Sequence, residues 1–395
     1  MSEHVDVAVI GGGMAGATLA WALHQEGMAA ALVERQPPPQ GPAPAGDPER
    51  VSAINAGSRA ILAGLGLWPA IAEAGAAPIE TIEVTDDDRA GRTVLDRHEA
   101  GEPALGYVVP NRAIVAAAWE RLAQAEGVAL HAGTAVTELR RDAAVSLSLK
   151  GPAGPTTLTA SLVVGADGEH SAVRRAAGID TWGWHHNRYA LVATVTAERD
   201  LAGWAFERFL PEGPLAFLPL GGNRASIVWT LGPQAAAERE REGDAAFLNR
   251  LQQRFGPALG RLTGVGRRAT YPLELRVARR FTAARTALVG NAGHLVHPVG
   301  GQGFNLGLRD VAALAEEAGR AHRRGWDPGH REVLARYERR RRKDTARTIA
   351  FTEGLTRLFA NRDPALAGLR QAGLRAMERV APLRHALMNQ AMGRR

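Results

Sequence analysis

The chain has 395 residues, 45% hydrophobic and 23% charged, with a formal net charge of +7 and a pI near 10.5. That length supports two lobes and a sizeable core, and no apolar run is long enough to span a bilayer. The absence of cysteine excludes disulfides, thiolate metal sites and thiol redox chemistry, while the positive balance points to an anionic neighbour such as nucleic acid or a membrane surface. The start, Met1-Ser2-Glu3-His4, has neither a basic flank nor a signal-peptide core, so a cytoplasmic location is expected.

Val5–Ile10 reads as a short buried strand, followed at once by Gly11-Gly12-Gly13-Met14-Ala15-Gly16. A helix runs through Thr18, Leu19 and Leu23 to a stop at Gly27, and a second strand, Ala29–Val33, ends on Glu34. Strand, glycines, helix and terminal acid together form a dinucleotide-binding fingerprint. Gly11 makes the turn, Gly13 admits a pyrophosphate, Gly16 lets helix pack on strand, and Glu34 suits ribose hydroxyls.

Gln36–Pro48 is crowded with proline and glycine and reads as an irregular surface loop. Arg50-Val51-Ser52-Ala53-Ile54 opens the next ordered piece, a helix through Ser58, Leu62 and Leu65 that stops near Gly64 or Gly66. Strands are expected at Ile79–Val84, Tyr107–Val109, Val128–His131 and Val145–Leu149, with a helix over Ala113–Glu126. Leu162–Ala166 is a buried strand that runs into Asp167-Gly168, His170-Ser171 and Arg174. Such an aspartate can accept from a ribose or ribityl hydroxyl, and Arg174 can anchor the loop or meet phosphate. The plain alternative is an Asp-Gly turn with a serine cap.

Between Tyr189 and Tyr271 the pattern changes to a meander: Ala190–Thr196, Phe206–Phe209, Leu215–Leu220 and Ala225–Thr230, then a helix near Asp244–Phe255. This predicts a mostly antiparallel sheet in a second lobe. A third glycine stretch closes the pattern. The strand Ala287-Leu288-Val289 leads through Val299-Gly300-Gly301-Gln302-Gly303 into a helix with Phe304, Leu308, Val311 and Leu314 on one face. Glycines there allow close backbone approach, and the helix start offers unpaired N–H groups and a positive dipole end. His294 and His297 stand three apart in that loop with no acidic cluster nearby, so no metal site is expected. Trp182, Trp184, His185 and His186 read as packing between lobes.

GGGMAG with Glu34, Arg50, DGEHSAVR at Asp167–Arg174 and GNAGHLVHPVGGQGFNLGLRD at Gly290–Asp310 together resemble the flavin-dependent aromatic hydroxylases. HPVGGQGFNLGLRD is most similar to the ubiquinone-biosynthesis hydroxylases. AFERFLPEGPLAFLPL at Ala205–Leu220, SIVW at Ser226–Trp229 and Phe359-Ala360-Asn361 point to their 2-polyprenyl-6-methoxyphenol hydroxylase branch. The resemblance covers Val5 to about Met392. It departs at Asn291, where the wider class has an aspartate facing the ribityl chain; an amide oxygen still accepts there.

The resemblance implies an α/β architecture with a discontinuous, Rossmann-like, GR2-type FAD-binding domain at 1–76, 107–180 and 273–362. A substrate domain with a mostly antiparallel sheet would occupy 77–106 and 181–272, and C-terminal helices 363–395. It further implies FAD as cofactor, NAD(P)H as co-substrate, a polyprenyl phenol and O2 as substrates, and a C4a-hydroperoxyflavin as oxygen donor. Cofactor contacts are expected at Gly11, Gly13, Met14, Ala15, Gly16, Glu34, Arg35, Arg50, Arg112, Val136, Asp167, Gly168, Arg174, Asn291, Gly301, Gly303, Phe304 and Asn305. Pro298, Gly300, Gly301, Gln302 and His297 are expected at the reacting ring, with His297 shaping the pocket or polarising the substrate hydroxyl. Asp167–Arg174 is the candidate surface for transient NAD(P)H. Nucleic acid drops out as a partner. A quinone-biosynthesis complex, a lipid-carrier protein or peripheral contact with the inner membrane is expected instead. That contact would run through YERRRRK at Tyr337–Lys343, Arg370, Arg375, Arg379, Arg384, Arg394 and Arg395. Leu366, Leu369, Leu374, Met377, Val380, Leu383, Leu387 and Met392 lie among them at helical spacing. Two other functions fit the same scaffold: an FAD-dependent reductase or dehydrogenase, and a flavin-holding assembly subunit.

Overall fold

The computed structural model describes residues 3–38, 50–86, 91–142 and 144–360, with Val380, Pro382, Arg384, His385, Met388, Asn389, Met392 and Gly393 of the C-terminal segment. Most of the proline-rich stretch, Asn361, and the greater part of the expected C-terminal helices lie outside the described residues. Among those placed outside are Leu366, Leu369, Leu374, Met377, Leu383, Leu387, Arg370, Arg375, Arg379, Arg394 and Arg395.

Five parallel strands make the centre of an eight-stranded sheet, in the order Thr286–Leu288, Gly154–Gly165, Glu3–Ile10, Ala30–Glu34 and Val128–Ala132. Glu3–Ile10 is buried on both faces, which is why it reads as a continuous apolar run. Val7 and Val9 enter one core with Leu19, Leu23 and Leu306, while Val5, Ala8 and Ile10 enter another with Leu147, Leu158 and Val163. Each such valine, leucine or isoleucine contributes roughly 1.5–3 kcal/mol on burial. Val145–Gly151 and Ala135–Arg141 extend the sheet antiparallel from the long strand Gly154–Gly165.

In register, Ile10 lies beside Gly165, and Gly165 beside Leu288. The loops that follow the three strands, at Gly11, Ala166 and Val289, therefore leave the sheet at one edge. Open parallel sheets bind ligands outside the carboxyl ends of their strands.

The second sheet has nine strands and is mostly antiparallel, with Thr181–Ala197 paired to Arg224–Leu231 and to Ala269–Ala278. Its outer face packs Leu191, Ile227, Trp229 and Phe217 on Phe247, Leu251 and Phe255 of the helix Asp244–Phe255. The inner face carries Ala205 and Leu218 against Ile79, Val108 and Ala53 of the region next to the parallel sheet. The expected single strand at Ile79–Val84 is two. Ala77–Ile79 joins a three-stranded sheet with Val51–Asn55 and Gly106–Pro110, and Thr81–Asp86 crosses into the nine-stranded sheet. Val51–Asn55 is itself a strand, and the helix begins at Ala56, capped by the Asn55 side chain on the Ser58 N–H at 2.9 Å.

Two long helices, Gln302–His322 and Arg331–Ala360, complete the structure. Among the described residues no helix is long and apolar enough to cross a membrane. Two expectations for the basic C-terminal region change. In Tyr337–Lys343, Tyr337 and Arg341 are buried, and Arg340 pairs with Glu316 and Glu317. Met392, expected on a membrane-facing stripe, is buried with Met388 against Leu95 and Leu105, and its carbonyl accepts the Gly57 N–H at 2.9 Å.

Candidate active site

The fingerprint turn depends on two glycines for distinct reasons. Gly11 holds a φ of 103°, and a Cβ there would sit 2.5 Å from the Ala166 carbonyl oxygen. A Cβ on Gly16 would collide with the Gly11 carbonyl, so only glycine lets the helix Met14–Gln25 start this close to the strand. A Cβ on Gly13 would meet no protein atom within 4 Å. Gly13 also caps the helix without a side chain, which leaves the first-turn N–H groups open.

Glu34 closes this turn. Its Oε2 accepts the Gly12 N–H at 2.5 Å and its Oε1 the Gln36 N–H at 2.8 Å, while the Trp119 indole donates to the Gly12 carbonyl at 2.8 Å. Asp167 sits at the neighbouring strand end, where Oδ1 accepts the Ser171 hydroxyl at 2.5 Å and Oδ2 the N–H groups of Ala172 and Val173 at 2.7 and 3.2 Å. Ser171 is the helix cap of the plain reading, its hydroxyl accepting the Arg174 N–H at 2.9 Å, and Asp167 braces that start with acceptor capacity left over. Arg174 is buried, and its guanidinium donates to the carbonyls of Ala292 and Glu169 at 2.8 and 2.7 Å. Of the two roles expected for Arg174, loop anchoring is the one the structure displays; that side chain is not turned out towards a phosphate.

The third glycine stretch meets the first. Gly290, at a φ of 58°, faces Ala15, and a Cβ on Gly290 would lie 3.2 Å from the Ala15 Cβ. A Cβ on Gly307 would stand 3.3 Å from the Gly290 Cα, so the helix Gln302–His322 packs on the same turn. Asn291 is exposed there. Gly300 and Gly301 are both left-handed, with φ of 66° and 63°, which lets the chain reverse into an uncapped helix start. The two glycines thought to act alike do not: a Cβ on Gly301 would come 2.8 Å from that of Ala53, whereas one on Gly303 meets no protein atom within 4 Å. Asn305 stitches the turn down. Its amide donates to the carbonyls of Ala53 and Gly301 at 2.8 and 2.7 Å and accepts the Asn55 N–H at 3.1 Å, so its side chain serves the fold.

Met14, Phe304 and Gly168 are half-buried around these turns, Val136 in the strand Ala135–Arg141 and Arg112 at the start of the helix Asn111–Ala123 are half-buried too, and Arg35 is exposed. The Arg50 guanidinium, just before the strand Val51–Asn55, lies 5.1 Å over the Tyr271 ring of the nine-stranded sheet. Pro298 and Gln302 flank the left-handed pair, with the Gln302 amide on the Gly300 carbonyl at 3.1 Å.

His294 and His297 have different roles. His294 Nε2 is 2.6 Å from Asp310 Oδ2, inside a network that continues to Arg341 and Asp344. His297 is buried, and burial together with nearby His186 lowers its pKa to about 4, so the ring is neutral near pH 7. Trp182 and Trp184, expected to pack between lobes, are each 39% exposed; His186 is the member of that group that turns inward, edge-on to His297 at 5.2 Å. Glu353 escaped the sequence reading, and Asp310, Arg341 and His186 enter it only as parts of a motif, a basic run and an interlobe group, since each takes part here through long-range contacts. Among the described residues no group of acidic and histidine side chains could hold a metal. Two surface depressions of about 450 and 630 Å³ lie around Arg268 and Arg254 and include none of these residues.

The residues fit a bound dinucleotide flavin: two uncapped helix starts, and two glycines, Gly13 and Gly303, whose missing Cβ only a ligand would need. Comparison with known proteins agrees. Residues 4–352 match the family described as FAD binding domain. The chain is 41% identical to the ubiquinone hydroxylase UbiL of Rhodospirillum rubrum, over 98% of this chain and 89% of that one. It is 34% identical to the 3-demethoxyubiquinol 3-hydroxylase of Escherichia coli, over 99% of both. In fold it is similar to p-nitrophenol 4-monooxygenase PnpA from Pseudomonas putida, with a TM-score of 0.80, 22% identity and coverage of 100% and 99%.

Proposed function

As a member of the FAD-binding family of ubiquinone-biosynthesis hydroxylases, the chain is a flavin-dependent monooxygenase, and we propose that it hydroxylates the ring of a polyprenyl phenol in ubiquinone biosynthesis, with NAD(P)H and O2 as co-substrates. The observation that carries this reading is that Gly290 packs against both Ala15 of the helix Met14–Gln25 and Gly307 of the helix Gln302–His322, two helices whose glycine-bordered starts are uncapped. When bound and reduced, FAD supplies the activated oxygen.

The chain's own residues would do the rest. The open N–H groups at Met14 and Ala15 would hold the pyrophosphate, and Glu34 and Asp167 the hydroxyls of the cofactor's two arms. The start of Gln302–His322 would face the anionic edge of the reduced ring with its dipole, with Pro298 and Gly300–Gly301 against the ring plane. The inner face of the nine-stranded sheet, with Ala205 and Leu218, would keep water from the reacting centre. Glu207 alternates onto that face, where desolvation raises its carboxyl to about 7.

A polyprenyl phenol is nearly insoluble in water, so we place the protein in the cytoplasm with peripheral contact at the inner membrane, or with a lipid carrier or quinone-biosynthesis complex. Arg339, Arg342, Lys343 and Arg347 are among the exposed cations on the last helix. The test of the proposed reaction is aerobic turnover. Purified protein carrying FAD, given a prenylated phenol and NAD(P)H, should consume nucleotide in step with a hydroxylated product. Nucleotide oxidation that reduces the phenolic partner or yields only peroxide would contradict it.

A further inference from the structure

We propose that His186, His297 and Glu353 form one buried site for a hydroxyl group, and that in the working enzyme its occupant is the ring hydroxyl of the phenolic substrate. The second half of this statement rests on the function proposed above.

The three residues arrive from distant elements, and one of them is brought in by a local irregularity. Pairing of Thr181–Ala197 with Ala269–Ala278 runs through His185 opposite Glu274 and resumes at Arg188 opposite Leu273, so the first strand carries extra residues. Asn187, within that bulge, holds a left-handed φ of 52°. Bulges of this kind re-aim side chains beside functional sites. Here His185 stays exposed, 3.3 Å from Glu274, while His186 turns inward with its side chain only 10% exposed. Its Nε2 then lies 3.3 Å from Glu353 Oε1 on the helix Arg331–Ala360, and its ring stands edge-on to His297 at 5.2 Å.

The polar atoms define what fits. His297 Nδ1 accepts the Val299 N–H at 3.2 Å, so the proton of the neutral ring sits on Nε2. That Nε2–H is buried and has no acceptor among the described residues. His186 Nε2 and Glu353 Oε1 are also buried, and despite their approach neither makes a hydrogen bond of acceptable geometry. A committed donor thus stands in one cluster with two atoms able to accept. A hydroxyl answers both: its oxygen accepts from His297, and its proton is donated to Glu353 or His186.

Water and a phenol share that chemistry, and position favours the phenol. His297 immediately precedes Pro298 and the left-handed pair Gly300–Gly301, the turn assigned above to the flavin ring. As the ring becomes nucleophilic, the phenolic O–H bond breaks and its electron pair moves towards the ring. The proton passes to Glu353 Oε1, while His297 keeps its hydrogen bond to the oxygen.

Two experiments on the full-length, FAD-loaded protein decide this. The first compares crystal structures without and with 2-allylphenol. A water bonded to His297 Nε2 and to at least one of the other two atoms, replaced by the phenol hydroxyl, is the expected pair. A dry cluster overturns the hydroxyl site, and a water that persists with the phenol bound elsewhere overturns the substrate assignment. The second compares steady-state kinetics of Glu353→Gln and His186→Phe at unchanged flavin absorbance. Glutamine can hold the hydroxyl but not take its proton, so kcat should fall at least tenfold with KM nearly unchanged; phenylalanine should raise KM at least tenfold. Wild-type values in both variants would contradict the proposal. A wild-type protein that turns over no phenol would sink the proposed function alone, because the water in the resting crystal still reports on the site.

Discussion

His294 Nε2 lies 2.6 Å from Asp310 Oδ2, and both side chains are fully buried. The same carboxylate oxygen accepts the Gly290 N–H at 2.9 Å, and Oδ1 meets Arg341 Nε at 2.5 Å. One aspartate therefore ties the glycine turn after the Thr286–Leu288 strand to both long helices. Burial alone would raise the Asp310 carboxyl, but His294, Arg341 and the Gly290 N–H together hold it below its ordinary value.

Asp310→Ala should destabilise the fold by about 3–5 kcal/mol, because it leaves Arg341 buried without this partner. Urea unfolding of the wild type and the variant measures it. A loss under about 1 kcal/mol would mean that the network is not what fixes the turn.

Gly301→Ala and Gly303→Ala should separate stability from cofactor binding. At Gly301 the left-handed backbone alone costs roughly 1–2 kcal/mol, and the Ala53 side chain adds to it. Gly303 has open space and lies within the helix, so alanine there should leave the apoprotein as stable or more so. Flavin affinity in Gly303→Ala should nonetheless fall at least tenfold. Full flavin retention in that variant would place this helix start away from the cofactor.

Glu34→Ala and Asp167→Ala should purify largely colourless, Glu34→Ala also because the Gly12 N–H loses its acceptor. The check is flavin absorbance per protein after gel filtration. Full flavin in both variants contradicts the assignment of these acids.

His297 makes stability depend on pH with a definite sign. Its folded pKa of about 4 is below the ordinary 6.5, so the unfolded chain binds the proton more readily. Stability should be complete above about 6.5 and fall as pH drops towards 4, by on the order of 3 kcal/mol from this group. His297→Gln should flatten that part of the profile in denaturant titrations; an unchanged slope would assign the loss to other groups.

Membrane contact is expected to depend on exposed charge. Replacing Arg339, Arg342 and Lys343 together by glutamate should abolish flotation with anionic liposomes at low salt, since each cation near such a surface contributes about 1 kcal/mol. Equal flotation of both proteins would remove this helix from any membrane surface. Truncation at Asn361 is a poorer probe, because it also withdraws Met388 and Met392 from Leu95 and Leu105.

The parts legible in the sequence are those written locally. Val5–Gly16 and Ala287–Leu314 announce strand, turn and helix within a few residues, because glycine positions and apolar spacing are set by near neighbours. The helix Pro233–Arg241 was missed for the opposite reason: its ERER run carries no apolar stripe, and Ala236 is its one buried residue. Ala135–Arg141 shows no clean alternation, since neither of its faces is fully buried. Val51–Asn55 merges with the following helix in the sequence because a five-residue stretch with three apolar residues suits either state. Within the site, the glycines were legible and the polar partners were not. Nothing near His294 in the chain foretells Arg341, and nothing near His297 foretells His186 or Glu353.

The most direct test of the central claim is product mass after turnover under ¹⁸O₂. The FAD-loaded protein, a prenylated phenol and NAD(P)H should give a hydroxylated ring that carries one ¹⁸O atom per product. A product with unlabelled oxygen, or a modified quinone with no added oxygen, would contradict the account.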